Sequence, residues 1–229
     1  MMVAEETLQD EMVAKHSNKV TMTKEEFVSY ALKNLFKHKI SVHLGFGALP
    51  ASDDAEVSSN GYFSDAEKKL FCRIDDKEEF WFEIFLHEYC HFLQHRDGEY
   101  LNCMHWQDLD DWLLKKKNLP QKRVQKCVEV IRGCELDCER RVIRLVKKFN
   151  LPVSIPAYIQ RANVYILFYT LVGSHRRWYN KLSPYAVPEL AEMMPTNFKK
   201  NWNTVPKEFE KIVVRKCFKA PTGRRNRRK

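Results

Sequence analysis

Residues His87-Glu88-Tyr89-Cys90-His91 read His-Glu-x-x-His inside the apolar stretch from Phe80 to Leu93. On a helix, positions i and i+4 share a face one turn apart, so both imidazoles can meet one metal ion with Glu88 beside them. That trio suits a hydrolytic zinc centre in which a glutamate takes a proton from water. Its neighbours, among them Phe82, Ile84, Phe85, Leu86, Tyr89, Phe92 and Leu93, are apolar nearly all round, the pattern of a buried helix. Polar groups placed in such a helix need partners. A single histidine here would read as a core residue bonded to backbone, whereas the triplet points to a metal.

Catalytic zinc usually takes three protein ligands and keeps a fourth position open, so a donor must come from elsewhere in the chain. His95 lies eight residues from His87, about 12 Å along an unbroken helix, too far to share one ion. Phe92-Leu93-Gln94 offers no glycine for a chain reversal before it. Glu135 and Glu139 are better placed, four apart on one face of a later helix: one carboxylate can bind the ion and the other can support a ligand histidine. The spacing does not choose between them, and a loop donor such as His105 is the fallback. Gly133 just upstream is expected to allow a close helix approach. For stabilising an oxyanion, Tyr165, Tyr169, His175, Arg176 and Tyr179 are all candidates.

The elements that must position these groups follow from local patterns. Thr23-Lys24-Glu25-Glu26 reads as a capping box opening a helix to about His38. Residues 40–44 and 69–74 alternate like strands, with turns at Asn60-Gly61 and Ser64-Asp65. Asp76 with Glu79 is expected to cap the motif helix, over roughly 77–96, with Gly98 as its stop. A loop bearing His105 and Trp106 leads to a short helix at about 108–117. Pro120 introduces a long helix to about Phe149, an apolar helix follows at 157–171, and a proline-containing segment runs to about 210. A small sheet followed by helices makes the expected class α+β and predominantly α. Residues 1–22 are expected to be flexible, 23–218 to form one domain, and 219–229 to be a disordered basic tail.

The 229 residues, 44% hydrophobic, suffice for one domain with a sizeable core. There is no basic start leading into an apolar segment and no run of 18 apolar residues, so a soluble, cytoplasmic protein without a membrane partner is expected. Seven cysteines with no Cys-x-x-Cys pair point to reduced thiols. Of the net charge of +9, five positive charges sit in Arg224, Arg225, Arg227, Arg228 and Lys229, so the body is only mildly basic. Such a tail suits weak contact with nucleic acid.

The His-Glu-x-x-His motif with Glu135 and Glu139 resembles the gluzincin type of zincin metallopeptidase, in which a glutamate on a following helix completes the zinc site and an acid four residues later supports it. The stretch from about 60 to 180 is similar to phage-encoded zincin-like proteins. The resemblance implies a zincin-like fold, Zn2+ held by His87, His91 and Glu135, Glu88 as general base, Glu139 as supporting acid or alternative ligand, and a protein or peptide substrate. It also implies a strand before the motif helix that pairs with an extended substrate, here residues 70–74, and host cytoplasm if the chain is phage-encoded. Two other readings stand beside it. One is a non-catalytic zinc-binding structural or interaction protein of a virion or a host interface. The other is a protease tethered to nucleic acid by the basic tail.

Overall fold

Thr23 caps the first helix as its sequence requires: its Oγ1 accepts from the Glu26 N–H at 3.2 Å, and Glu26 Oε2 accepts from the Thr23 N–H at 2.8 Å. This helix, α1 (Lys24–Lys37), buries Phe27, Ala31 and Leu35. The chain is described by a computed structural model covering residues 20–45, 60–74, 80–98 and 103–218. The basic tail, the Asp76 cap and most of the segment 1–22 lie outside the described residues. Met22 donates its N–H to the Phe149 carbonyl at 3.0 Å, and Asn150 donates to Thr21 Oγ1 at 3.2 Å, so both residues are tied to the end of a later helix.

Three short strands form one sheet: β1 (Ser41–Gly45), β2 (Gly61–Ser64) and β3 (Lys69–Arg73), in the order β1-β3-β2. β3 runs parallel to β1, with Val42 opposite Leu70, and antiparallel to β2, with Phe63 opposite Leu70. Two expectations change here. Gly61 opens a strand rather than sitting in a turn. The stretch 70–74, expected as the edge that receives a peptide, falls largely on the central strand, paired on both sides; among the described residues the edge strands are β1 and β2.

The motif helix α2 (Trp81–Arg96) packs against the sheet and against a long helix, α4 (Gln121–Lys148). Gly98, at φ +75°, follows the end of α2 with the left-handed conformation that glycine tolerates. Between them α3 (Cys103–Leu113) already contains His105 and Trp106, so the expected loop there is helical. Then come α5 (Ile155–His175), a 3-10 turn (Pro184–Ala186), α6 (Pro188–Glu192) and α7 (Lys207–Lys216), the last absent from the sequence reading. The protein is α+β and mostly helical. No described helix is long and apolar enough to cross a membrane.

Burial divides into two apolar cores that share α4 and α5. One joins α1, the sheet and α2 to the second half of α4, through Phe27, Leu70, Phe85, Leu86, Val142 and Val146. The other joins α3, α6 and α7 to the first half of α4, through Leu109, Val124, Val128, Ile131, Leu190 and Phe209. Each such side chain contributes roughly 1.5–3 kcal/mol on burial, which makes the two cores a firm mount for what lies between them. The close helix approach occurs on α5, where a Cβ at Gly173 would sit 3.0 Å from Val128 Cγ2, and not at Gly133, which is exposed with nothing within 4 Å.

Candidate metal centre

Between the two cores, α2 and α4 present polar groups to each other. His87 Nε2 and His91 Nε2 are 3.0 Å apart, and Glu135 Oε2 lies 3.3 Å from the first and 3.6 Å from the second. A tetrahedral ion bound at 2.0–2.1 Å would hold its ligand atoms about 3.3 Å apart. Glu135 is 2% exposed; its Oε1 accepts from the Tyr169 hydroxyl at 3.2 Å, while the buried Oε2 has no hydrogen-bond partner. A buried carboxylate oxygen without a hydrogen bond, within ion-pair distance of two ring nitrogens, could share a cation with them.

The outer faces of both rings are also occupied. Nδ1 of His87 lies 3.2 Å from Glu139 Oε1, and Glu139 Oε2 accepts a short hydrogen bond from the Tyr158 hydroxyl. Nδ1 of His91 is 2.9 Å from Gln94 Oε1. Cys138 Sγ donates to the His87 carbonyl at 3.2 Å and stands 3.7 Å from His87 Nδ1. His87, His91 and Cys138 each offer a ligand atom within 4.8 Å of the others, so this buried group can hold a metal ion. Glu135 and Cys138 are thus two candidate third donors, on opposite edges of the His87 ring.

The electrostatics favour a cation. Burial acts against an imidazolium at both histidines, but Cys138 and Glu139 at His87, and Cys138, Cys134 and Glu135 at His91, outweigh it and raise both pKa values. Burial likewise acts to raise Glu135, yet His91, His87 and Tyr169 hold it below the usual carboxylate range. Glu88 is raised by burial and by the charge of Glu135, with the histidines and the Phe63 N–H partly opposing.

Glu88 and His87 line an open cleft enclosing about 600 Å³, part of it solvent, together with Gly61, Ile84, Tyr165 and Tyr185. Gly61 lies directly over Glu88. A Cβ there would meet Ile84 Cγ2 at 2.6 Å and Glu88 Oε1 at 3.1 Å, so only glycine lets β2 come this close to the motif helix. Glu83, one turn before His87, pairs with Arg161 at 2.5 and 3.1 Å and accepts a hydrogen bond from the Tyr185 hydroxyl at 2.5 Å.

The other sequence candidates separate cleanly. Tyr165 and Tyr179 line the cleft, with the Tyr165 ring edge-on to His87 at 6.4 Å. Tyr169 is engaged by Glu135. His175 pairs with Glu210 at 2.7 Å, and Arg176 donates to the Trp112 carbonyl, so neither belongs to the site. His95 stands by Lys68 and Asp65, and His105 by Arg123, both away from the paired histidines. Sequence reasoning missed Gln94 and Tyr158. Gln94 had a signal, a carboxamide one turn after His91 on a helix with few other polar positions. Tyr158 had none, since nothing local separates it from a core tyrosine. Comparisons with protein-family models, with curated proteins and with solved structures found no match.

Proposed function

We propose that the protein is a zinc-dependent peptidase of zincin-like type, in which His87, His91 and Glu135 hold the ion and Glu88 is the general base. The observation that carries this reading is the convergence of three ligand atoms within 3.0–3.6 Å, one of them a buried carboxylate oxygen without a hydrogen bond. The cleft is lined by His87 and Glu88, so a substrate in it would lie against one proposed ligand and the proposed base.

Glu135 is favoured over Cys138 because it faces the Nε2 atoms of both rings. Cys138 sits at the Nδ1 edge of His87, where Glu139 competes for the same nitrogen and the thiol proton is committed to the His87 carbonyl. Two imidazoles and a carboxylate suit zinc.

When bound, the ion would supply Lewis acidity, polarising a carbonyl and acidifying water. Glu88 takes the proton of the attacking water and returns it to the leaving amine, so the peptide bond breaks with a net gain of one water. Tyr165, which lines the cleft with its ring edge-on to His87, is the residue assigned to the developing oxyanion. Glu139, held by Tyr158, keeps the His87 ring oriented.

The test is cleavage of an unfolded protein substrate by the zinc-loaded protein and by Glu88→Gln. Turnover is expected to fall about 10²–10⁴-fold in the variant with zinc content unchanged. Equal cleavage by the two proteins, or a wild type that binds no divalent metal, overturns the reading.

A further inference from the structure

Gln94 is 2% exposed, and both ends of its carboxamide are engaged. Its Nε2 donates to the Cys134 carbonyl at 3.0 Å and to Asp137 Oδ2 at 2.8 Å. Both partners only accept, so the amide orientation is fixed by chemistry: Oε1 is the atom 2.9 Å from His91 Nδ1. An amide oxygen cannot donate, so His91 must carry its proton on Nδ1. In its neutral form the ring therefore turns a bare Nε2 lone pair toward His87 and Glu135.

Asp137 is itself held. It accepts from Arg141 Nε at 2.8 Å, and Arg141 Nη1 donates to Asp97 Oδ2 at 2.7 Å. Arg141 is largely buried, with 11% of its side chain exposed, so the chain from His91 through Gln94 to Asp97 is a braced strut between α2 and α4. His87 has a carboxylate, Glu139, behind it; His91 has a neutral carboxamide.

We propose that Gln94 is the positioning residue that selects the Nδ1–H tautomer of His91 and so makes its Nε2 a metal ligand. The proposal rests on the metal reading above. Outer partners of ligand histidines typically matter by about 10–100-fold in metal affinity, which sets the expected size.

The experiment measures zinc affinity by competition with a chelator for the wild type, Gln94→Met and Gln94→Glu. The methionine has similar length and no acceptor for the His91 proton. The glutamate keeps that acceptor while losing both donors to α4. Gln94→Met is expected to bind zinc about 10–100-fold more weakly, and Gln94→Glu to recover most of that loss. A role confined to bracing α2 against α4 gives the opposite order, because the glutamate breaks the brace and adds repulsion from Asp137. Equal affinity of wild type and Gln94→Met, or no recovery in Gln94→Glu, overturns the proposal. Nitrogen-15 correlation spectra of the zinc-loaded wild type provide a readout that needs no variant to fold. His91 is expected to show a proton on Nδ1 and the ion on Nε2, and the reverse assignment rejects the proposal while leaving the metal site standing. A wild type that binds no zinc removes the metal reading and this proposal together.

Discussion

One face of α4 changes character twice along its length. Val124, Val128 and Ile131 are buried in the first half, and Val142 and Val146 in the second, at the spacing of a continuous apolar stripe. Between them the same stripe carries Glu135 and Glu139, each 2% exposed. The flanks gain from burial. The centre loses, since taking a carboxylate out of water costs several kcal/mol unless partners repay it. The partners at hand are the two imidazoles, whose pKa values are raised here, and the hydroxyls of Tyr158 and Tyr169. A helix that spends stability at two positions in an otherwise apolar stripe fits the proposed reading, in which the acids at its centre serve a bound cation.

The sharpest way to break this comparison is to make the stripe continuous. Glu135→Leu is expected to weaken zinc binding by more than about 100-fold, beyond what loss of an outer partner produces, while the metal-free protein melts no lower than the wild type. Titration with a chromophoric chelator and a thermal melt without metal check the two halves. Retention of zinc at unchanged affinity would transfer the third-ligand role to Cys138. The flank should answer in the opposite sense. Ile131→Ala leaves a cavity in the second core and is expected to lose about 2–5 kcal/mol in denaturant unfolding, with zinc affinity of the folded protein unchanged.

What the sequence made legible divides along the same line. Local chemistry was readable: the Thr23–Glu26 box, the punctuation by Gly98 and Pro120, and the i, i+4 spacing that brings His87 and His91 onto one face all act over a few residues. That Glu135 and Glu139 lie on a buried face was also readable, because apolar Leu136 and Cys138 interleave them and Val142, Ile143 and Val146 continue the buried side. Long-range placement was not. Which strand lies at the sheet edge depends on the partners of β3, and no pattern within residues 69–73 encodes them. The separation of Tyr165 from His175 and Arg176 likewise depends on how far along α5 each sits from α2. Gly133 misled because a glycine in a helix signals either close packing or nothing, and only the neighbouring chain decides.

That residue gives the finest probe of the helix. Gly133 lies two residues from both Ile131 and Glu135 but on the opposite, solvent side, where an added Cβ meets nothing within 4 Å. Glycine inside a helix costs roughly 0.5–1 kcal/mol relative to alanine, through the backbone entropy it loses on folding. Gly133→Ala is therefore expected to raise stability by about that amount in denaturant unfolding and to leave zinc affinity and turnover as they are. A gain confined to the metal-free protein, with weaker zinc binding, would mean that α4 bends at this glycine when the ion is bound. The rigid mount supplied by the two cores would then have to give way to a helix that closes on its metal.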